Sequence, residues 1–252
     1  MKSINKALDI LETLSKSGEL RLSEICENTG YTKSTANLIL AALLKRGYVS
    51  QKKKRGKYSL NRTYLTIHAE DENTQKLREI STPHLKELSN KFKENVILCV
   101  PHNNMARILV AAETKNVLTT LVEVGAIIPL YCTSTGKILL ANYSEKELEQ
   151  YLKNVELNQL TPNTITDINH LRASLRMIKD EGFAYDNEEQ IIGAKNVAVG
   201  IHGPDGQIIA SLGITGPAVR LTLERMTGIL PDIKKCALDI SESLTNIDEM
   251  QT

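Results

Sequence analysis

The sequence predicts an α+β chain of two parts. A small basic head reads as a winged helix-turn-helix, and a larger acidic body reads as a sheet with helices grouped between its strands. Three observations predict this. First, residues 1–66 hold 13 Lys+Arg against 5 Asp+Glu, while residues 67–252 hold 18 against 25, so a net charge of +1 hides a division between halves. Second, three helical patterns and a basic hairpin follow one another within the head. Third, the body alternates runs of strand pattern with runs of helix pattern.

The head opens with a helix from Ser3 to Lys16, capped by Ser3, with Ile4, Ala7, Leu8, Leu11 and Leu14 on one face. Gly18 stops it, and Leu20 and Leu22 read as a short extended piece. Ser23 caps a second helix, with Leu22, Ile25 and Cys26 inward, that ends at Gly30. Thr32 starts a third, with Ala36, Ile39, Leu40, Leu43 and Leu44 inward, that ends at Gly47. Strand-like segments at Tyr48–Gln51 and Tyr58–Leu60 then flank KKKRGK, with Gly56 suited to the turn. Between Lys45 and Lys57 stand seven basic residues and no acidic one.

A wing beside a recognition helix lies along the phosphate backbone, where its cations replace condensed counterions. That chemistry assigns phosphate contact to Lys52, Lys53, Lys54, Arg55 and Lys57. The third helix offers Thr32, Lys33, Ser34, Thr35 and Asn37 near its N-terminus, where base edges and phosphates are met. Asn37 is either a partner for adenine in the major groove or a plain solvent-facing side chain. The partner implied is double-stranded DNA. A charge pairing that docks head on body is the other explanation of the charge division.

In the body, a bridging helix is expected from Leu65 to Thr82, and Pro83 is expected to open another. Strands follow at Val96–Val100, Met105–Ala112 and Val117–Val124, with Asn103-Asn104 as a turn. Helices are read at 133–142, 144–153 and 167–181. Strands at 191–202 and 207–214 are joined through Gly203-Pro204-Asp205-Gly206, and a helix at 222–246 comes last. The domains are therefore 1–66, a linker helix at 67–82, and 83–252.

Several function classes are excluded by what the pattern lacks. No apolar run approaches the roughly 20 residues a membrane span needs, and MKSINKALDILETL carries charge within its apolar stretch, unlike a signal peptide. Cys26, Cys99, Cys132 and Cys236 are far apart with no CxxC pair, so free thiols in a reducing cytoplasm are expected. TSTGK (133–137) fails the phosphate-loop pattern, since Tyr131 stands where its first Gly belongs and Ile138 where Ser or Thr belongs. The five His are scattered singly, and the carboxylates clustered at Asp180-Glu181 and at Asp186 to Glu189 assemble no triad or metal constellation. No catalytic residue, metal ligand or cofactor is assigned. Thr133, Ser134, Thr135 and Gly136 do begin a helix, whose free N–H groups and dipole suit a carboxylate or phosphate. Simple N-capping by Thr133 or Ser134 explains them equally.

The head blocks INKALDILETL, LSEICENTGYTKST and LLKRGYVS resemble the IclR family of bacterial transcriptional regulators. So do the body blocks VGAIIPLYCTSTGKILLA (124–141), TPNTITD (161–167), EGFAYDNEEQIIG (181–193) and DGQIIASLGITGP (205–217), the last three looking closest to members that govern sugar-acid catabolism. The resemblance implies a winged helix-turn-helix, a linker helix and a GAF-like α/β effector domain. It also implies dimers, often paired into tetramers, on palindromic operators, answering to a small carboxylate or aromatic acid. The chain departs from the family at Leu38, where members often carry Arg or Lys. Carried over residue by residue, the effector carboxylate falls to Ser134 and Thr135, a further contact to Asp186, and the pocket wall to Ile128 and Ala194. Asn196 stands in place of a family Cys, and Gly213 and Thr215 in place of two Ser. A ligand bulkier or more hydroxylated than a two-carbon acid, such as a sugar acid, is expected to release a repressor from a catabolic operon. The alternatives are an activator of the same family and, further off, a small-molecule enzyme with a DNA-binding extension.

Overall fold

The computed structural model describes residues 2–51, 56–61 and 71–249. Contacts divide the chain into two compact units, Met1–Asp71 and Glu72–Thr252.

The first unit contains α1 (Lys2–Ser17), α2 (Leu22–Thr29), α3 (Lys33–Lys45), β1 (Val49–Gln51) and β2 (Tyr58–Leu60). The two strands form an antiparallel ribbon with Ser50 opposite Ser59. Ile10, Leu14, Ile25, Ala36, Leu40, Leu43, Val49 and Tyr58 make its core. The buried stripe of α1 differs from the expected one. Ile10 and Leu14 are buried and Ala7 and Leu11 half-buried, while Ile4 and Leu8 face outward. Both sets obey helical spacing, and the position of α2 and α3 decides between them. Ser3 lies inside α1 rather than capping it. Ser23 lies inside α2, which starts one residue earlier, and the Glu24 carboxylate accepts the Arg21 N–H at 2.6 Å. Leu20 pairs with Tyr58 in a single bridge, which is the short extended piece.

The second unit contains α4 (Glu72–Phe92), β3 (Asn95–His102), β4 (Met105–Ala112), β5 (Ile127–Pro129), α5 (Ser134–Ala141), α6 (Glu145–Asn154), α7 (Ile168–Glu181), β6 (Phe183–Asn187), β7 (Ala194–His202), β8 (Ile208–Pro217) and α8 (Leu223–Glu249). One antiparallel sheet runs β5-β4-β3-β8-β7-β6. Alternation of side chains across a strand sorts the residues between two cores. Val96, Leu98, Val100, Leu212 and Ile214 pack with α4 and α8. Ile97, Cys99, Ile108 and Ala198 pack with α5, α6 and α7 on the other face. Every residue of α5 from Ser134 to Leu140 is buried.

Three expectations are corrected here. Pro83 does not open a helix but sits inside α4. Its missing N–H removes one rung, yet Leu77, Leu85 and Leu88 are buried on both sides of it, and the Thr82 hydroxyl bonds the Arg78 carbonyl at 2.6 Å. The expected helix over 65–82 thus continues through Pro83 from Glu72, and its first part, 65–70, lies outside the described residues. Residues 117–124 are not a strand. The third strand is β5, and 113–126 is an irregular loop held by side chains from elsewhere. β6, finally, was not anticipated. It forms because Gly182, at φ +72, turns the chain sharply after α7 and lays Phe183–Asn187 against β7.

Candidate functional site

On the first unit, Thr32 caps α3. Its Oγ1 accepts the Thr35 N–H at 3.3 Å and lies 3.0 Å from the Thr35 Oγ1. These two hydroxyls are therefore engaged in holding the turn. Lys33, Ser34 and Asn37 are exposed, while Ala36, Leu40 and Leu43 are buried. Leu38 is likewise exposed, at 76 %, so a large apolar group stands among the polar ones. Lys57 is exposed at the foot of β2. Lys52, Lys53, Lys54 and Arg55 lie outside the described residues.

In the second unit a cavity of about 200 Å³ lies between the sheet, the start of α5 and the loop 113–126. Ile128, Ser134, Thr135, Asp186, Ala194, Asn196, Gly213 and Thr215 all line it. These come from β5, α5, β6, β7 and β8, elements far apart in sequence. Gly136 does not line it. The Gly136 N–H is taken by Thr133 Oγ1 at 3.1 Å, and a Cβ there would lie 2.6 Å from both the Leu130 Cα and the Pro129 carbonyl. Its part is to let α5 approach β5 closely.

Thr133 is the cap, so capping accounts for Thr133 and Gly136 but not for Ser134. The Ser134 hydroxyl is buried, lines the cavity and has no hydrogen-bond partner. The N–H groups of Ser134 and Thr135 lie in the first turn, where no helical carbonyl reaches them. Asp186, 1 % exposed, lines the same cavity. Its Oδ1 accepts the Glu189 N–H at 2.7 Å and its Oδ2 accepts the Asn196 amide at 2.6 Å. Burial, set against those hydrogen bonds, pushes its carboxyl up to about 6. Behind the cavity Lys137 and Glu189 form a buried ion pair at 2.5 Å. Burial also raises Cys99 and Cys132 to about 12, so both thiols are inert.

Several lining residues were missed by sequence reasoning. Thr120, Leu121, Val122 and Glu123 come from the loop that was read as a strand, and Gln190 and Ile191 from the turn after β6. The lack of apolar–polar alternation in VLTTLVEV is the sequence signal against an edge strand at 117–124. Small residues at the inner positions of β7 and β8, Ala194, Ala198 and Gly213, are the signal that something must fit above them. A Cβ on Gly213 would come within 2.8 Å of the Thr135 methyl.

Among the described residues no helix is long and apolar enough to cross a membrane. Comparison with known proteins gives the family. Residues 72–242 match the family described as bacterial transcriptional regulator IclR C-terminal, and residues 3–53 match the IclR helix-turn-helix domain. The chain is 29 % identical over 244 residues to the HTH-type transcriptional regulator KdgR of Escherichia coli (strain K12), covering 97 % of this chain and 93 % of that one. It is 26 % identical to the HTH-type transcriptional repressor AllR of the same strain, covering 96 % and 90 %. The crystal structure of the Thermotoga maritima IclR superposes with a TM-score of 0.77 at 31 % identity, over 97 % of this chain and 99 % of that one. The C-terminal domain of KdgR superposes with a TM-score of 0.62 at 29 % identity, over 68 % and 99 %. These relatives are regulators and not enzymes, which sets the enzyme reading aside. The chain belongs to the IclR family of bacterial transcriptional regulators and is a DNA-binding protein of that kind.

Proposed function

We propose that this regulator represses a catabolic operon in the cytoplasm and releases it when a sugar acid enters the cavity. The observation that carries the ligand half of the reading is the unpartnered, buried Ser134 hydroxyl at the mouth of α5. A buried polar group costs stability unless it is bonded, and a carboxylate oxygen supplies that bond. The free N–H groups of the first turn and the helix dipole favour the same charge. Asp186 and Asn196 line the same cavity and suit hydroxyl groups, which both donate and accept. At about 200 Å³ the space exceeds by several fold that of one water, roughly 30 Å³, and a two-carbon acid would leave much of it unfilled.

On the DNA side, Lys33, Ser34 and Asn37 face a duplex from α3, and the basic wing adds phosphate contacts. A homodimer presents two such helices to half-sites of a palindrome, and pairing of dimers gives a tetramer. Effector acts because it binds the DNA-competent and incompetent states with different affinity. That AllR is named a repressor supports this sign.

A panel of acids tests the ligand class. In a thermal-shift assay, six-carbon sugar acids such as gluconate and its keto and deoxy relatives are expected to raise the Tm, and glyoxylate is not. Gly213→Ser is the matched comparison. Its side chain pushes against Thr135 and occupies part of the cavity, so sugar-acid affinity is expected to fall about tenfold or more with the fold intact. Stabilisation by glyoxylate alone, or a sugar-acid affinity indifferent to Gly213→Ser, would refute the assignment.

A further inference from the structure

The loop 113–126 that covers the cavity is tied at its end to Ile108 of β4, through the Gly125 N–H and the Ala126 carbonyl, and over residues 114–120 chiefly to the junction between α4 and β3. Lys93 there has φ +57, a left-handed conformation that a residue with a side chain adopts at a cost. The turn directs its carbonyl to the loop, where it accepts the Asn116 amide at 2.7 Å and the Thr114 hydroxyl at 3.0 Å. Asn95 is buried and bonds the loop twice, accepting the Thr114 N–H and donating to the Thr120 carbonyl, each at 2.7 Å. Between them, Glu94 is fully buried and holds Arg220 through two bonds of 2.7 Å, and Arg220 in turn donates to the Leu118 carbonyl at 2.9 Å.

The same cluster holds the end of α4. Arg225 donates to Glu94 at 3.1 Å and to the Phe92 carbonyl at 2.7 Å, and the Lys93 N–H bonds the Ser89 carbonyl. Gly216 makes room for it, since a Cβ there would lie 2.5 Å from the Glu94 carboxylate. Asn95 also pairs in the sheet with Thr215, which lines the cavity and meets the Thr120 hydroxyl at 3.2 Å. Neither arginine nor Glu94 lines the cavity. A fully buried carboxylate held by two partly exposed arginines, away from the ligand space, is an expensive way to hold a surface loop unless the loop must keep step with something. What it shares its bonds with is α4, the helix by which the chain enters this unit after the DNA-binding unit.

We propose that Lys93, Glu94 and Asn95, with Arg220 and Arg225, form a positioning post that locks the cavity-covering loop to the C-terminal end of α4, so that filling the cavity is felt by that helix. The proposal rests on the reading of the cavity as the effector site. A ligand that seats against Thr120 and Leu121 moves or stills the loop, and the loop's bonds to Lys93 and Asn95 carry the change to α4.

Hydrogen–deuterium exchange on the effector-free full-length protein tests the lock directly. Asn116→Ala and Arg220→Lys each loosen the loop side of the post and leave the sequence of α4 untouched. Asn116 is exposed, so that variant folds even where Arg220→Lys proves fragile. Both variants are expected to speed exchange about tenfold in the loop and, together with it, in the last turn of α4, with α5 and α7 unchanged. Faster exchange in the loop alone, with the end of α4 as in wild type, would overturn the proposal. Failure of every acid in the panel to stabilise wild type would instead strike at the reading of the cavity, and the exchange result would stand apart from it.

Discussion

Lys137→Met is expected to lower the stability of the second unit by about 3–5 kcal/mol, because it leaves a buried carboxylate without its partner. Lys137 and Glu189 have side chains only 3 % and 9 % exposed, and they meet at 2.5 Å. The other Glu189 oxygen is already buried without a bond, so nothing nearby can take over. For a unit of this size the loss corresponds to a Tm lower by roughly 10 °C. The double variant Lys137→Met/Glu189→Leu removes both charges and is expected to recover most of the loss, since a buried pair is often worth no more than an apolar one. Thermal unfolding of the three proteins measures this. A single variant as stable as wild type would mean that the Glu189 charge finds water after all.

Asp186→Asn is expected to separate stability from ligand binding. In wild type the folded-state pKa of Asp186, about 6, lies above the ordinary carboxylate value. The folded state thus holds this proton more tightly than the unfolded state. The associated stability is fully present below the unfolded pKa, near 4, and is lost as the pH rises through about 6. A shift of about two units amounts to roughly 3 kcal/mol. Asn carries no charge to desolvate, so the variant is expected to be more stable than wild type at pH 7.5. Allowing about 1 kcal/mol for a poorer hydrogen bond, the gain is about 1–2 kcal/mol, and it shrinks as the pH is lowered toward 5. Sugar-acid affinity is expected to fall at least tenfold, since the variant has one acceptor oxygen where the carboxylate has two. Denaturant titrations at pH 7.5 and 5, with a ligand titration beside them, read both effects. A variant less stable than wild type at pH 7.5 would contradict the burial argument.

Much of this was legible in the sequence where local chemistry decides the structure. Thr32 caps α3, Asn103 and Asn104 take positive φ in the turn before β4, and Gly203 to Gly206 joins β7 to β8, because each feature depends on its own neighbours. The resemblance to the family brought together residues from five elements that no spacing rule could join, and all of them line one cavity, whereas Gly136, offered by the helix start alone, does not. What could not be read locally was set by distant partners. The apolar run 117–124 has the composition of a strand, but Asn95 and Arg220 claim its carbonyls for side-chain bonds. β6 is five residues long and is a strand only because β7 lies beside it. The face of α1 depended on where α2 and α3 pack, and the continuity of α4 through Pro83 on burial on both sides of it, from Leu77 to Ser89.

The most direct measurement is the affinity of the purified full-length protein for its own upstream intergenic DNA, at fixed physiological salt, with and without the acids of the panel. Salt must be fixed because each phosphate contact makes binding salt-dependent. The expected result is tight, sequence-selective binding that one sugar acid releases. Binding indifferent to sequence and to every compound would contradict it, leaving the basic wing as a phosphate clamp and the cavity without a regulatory role.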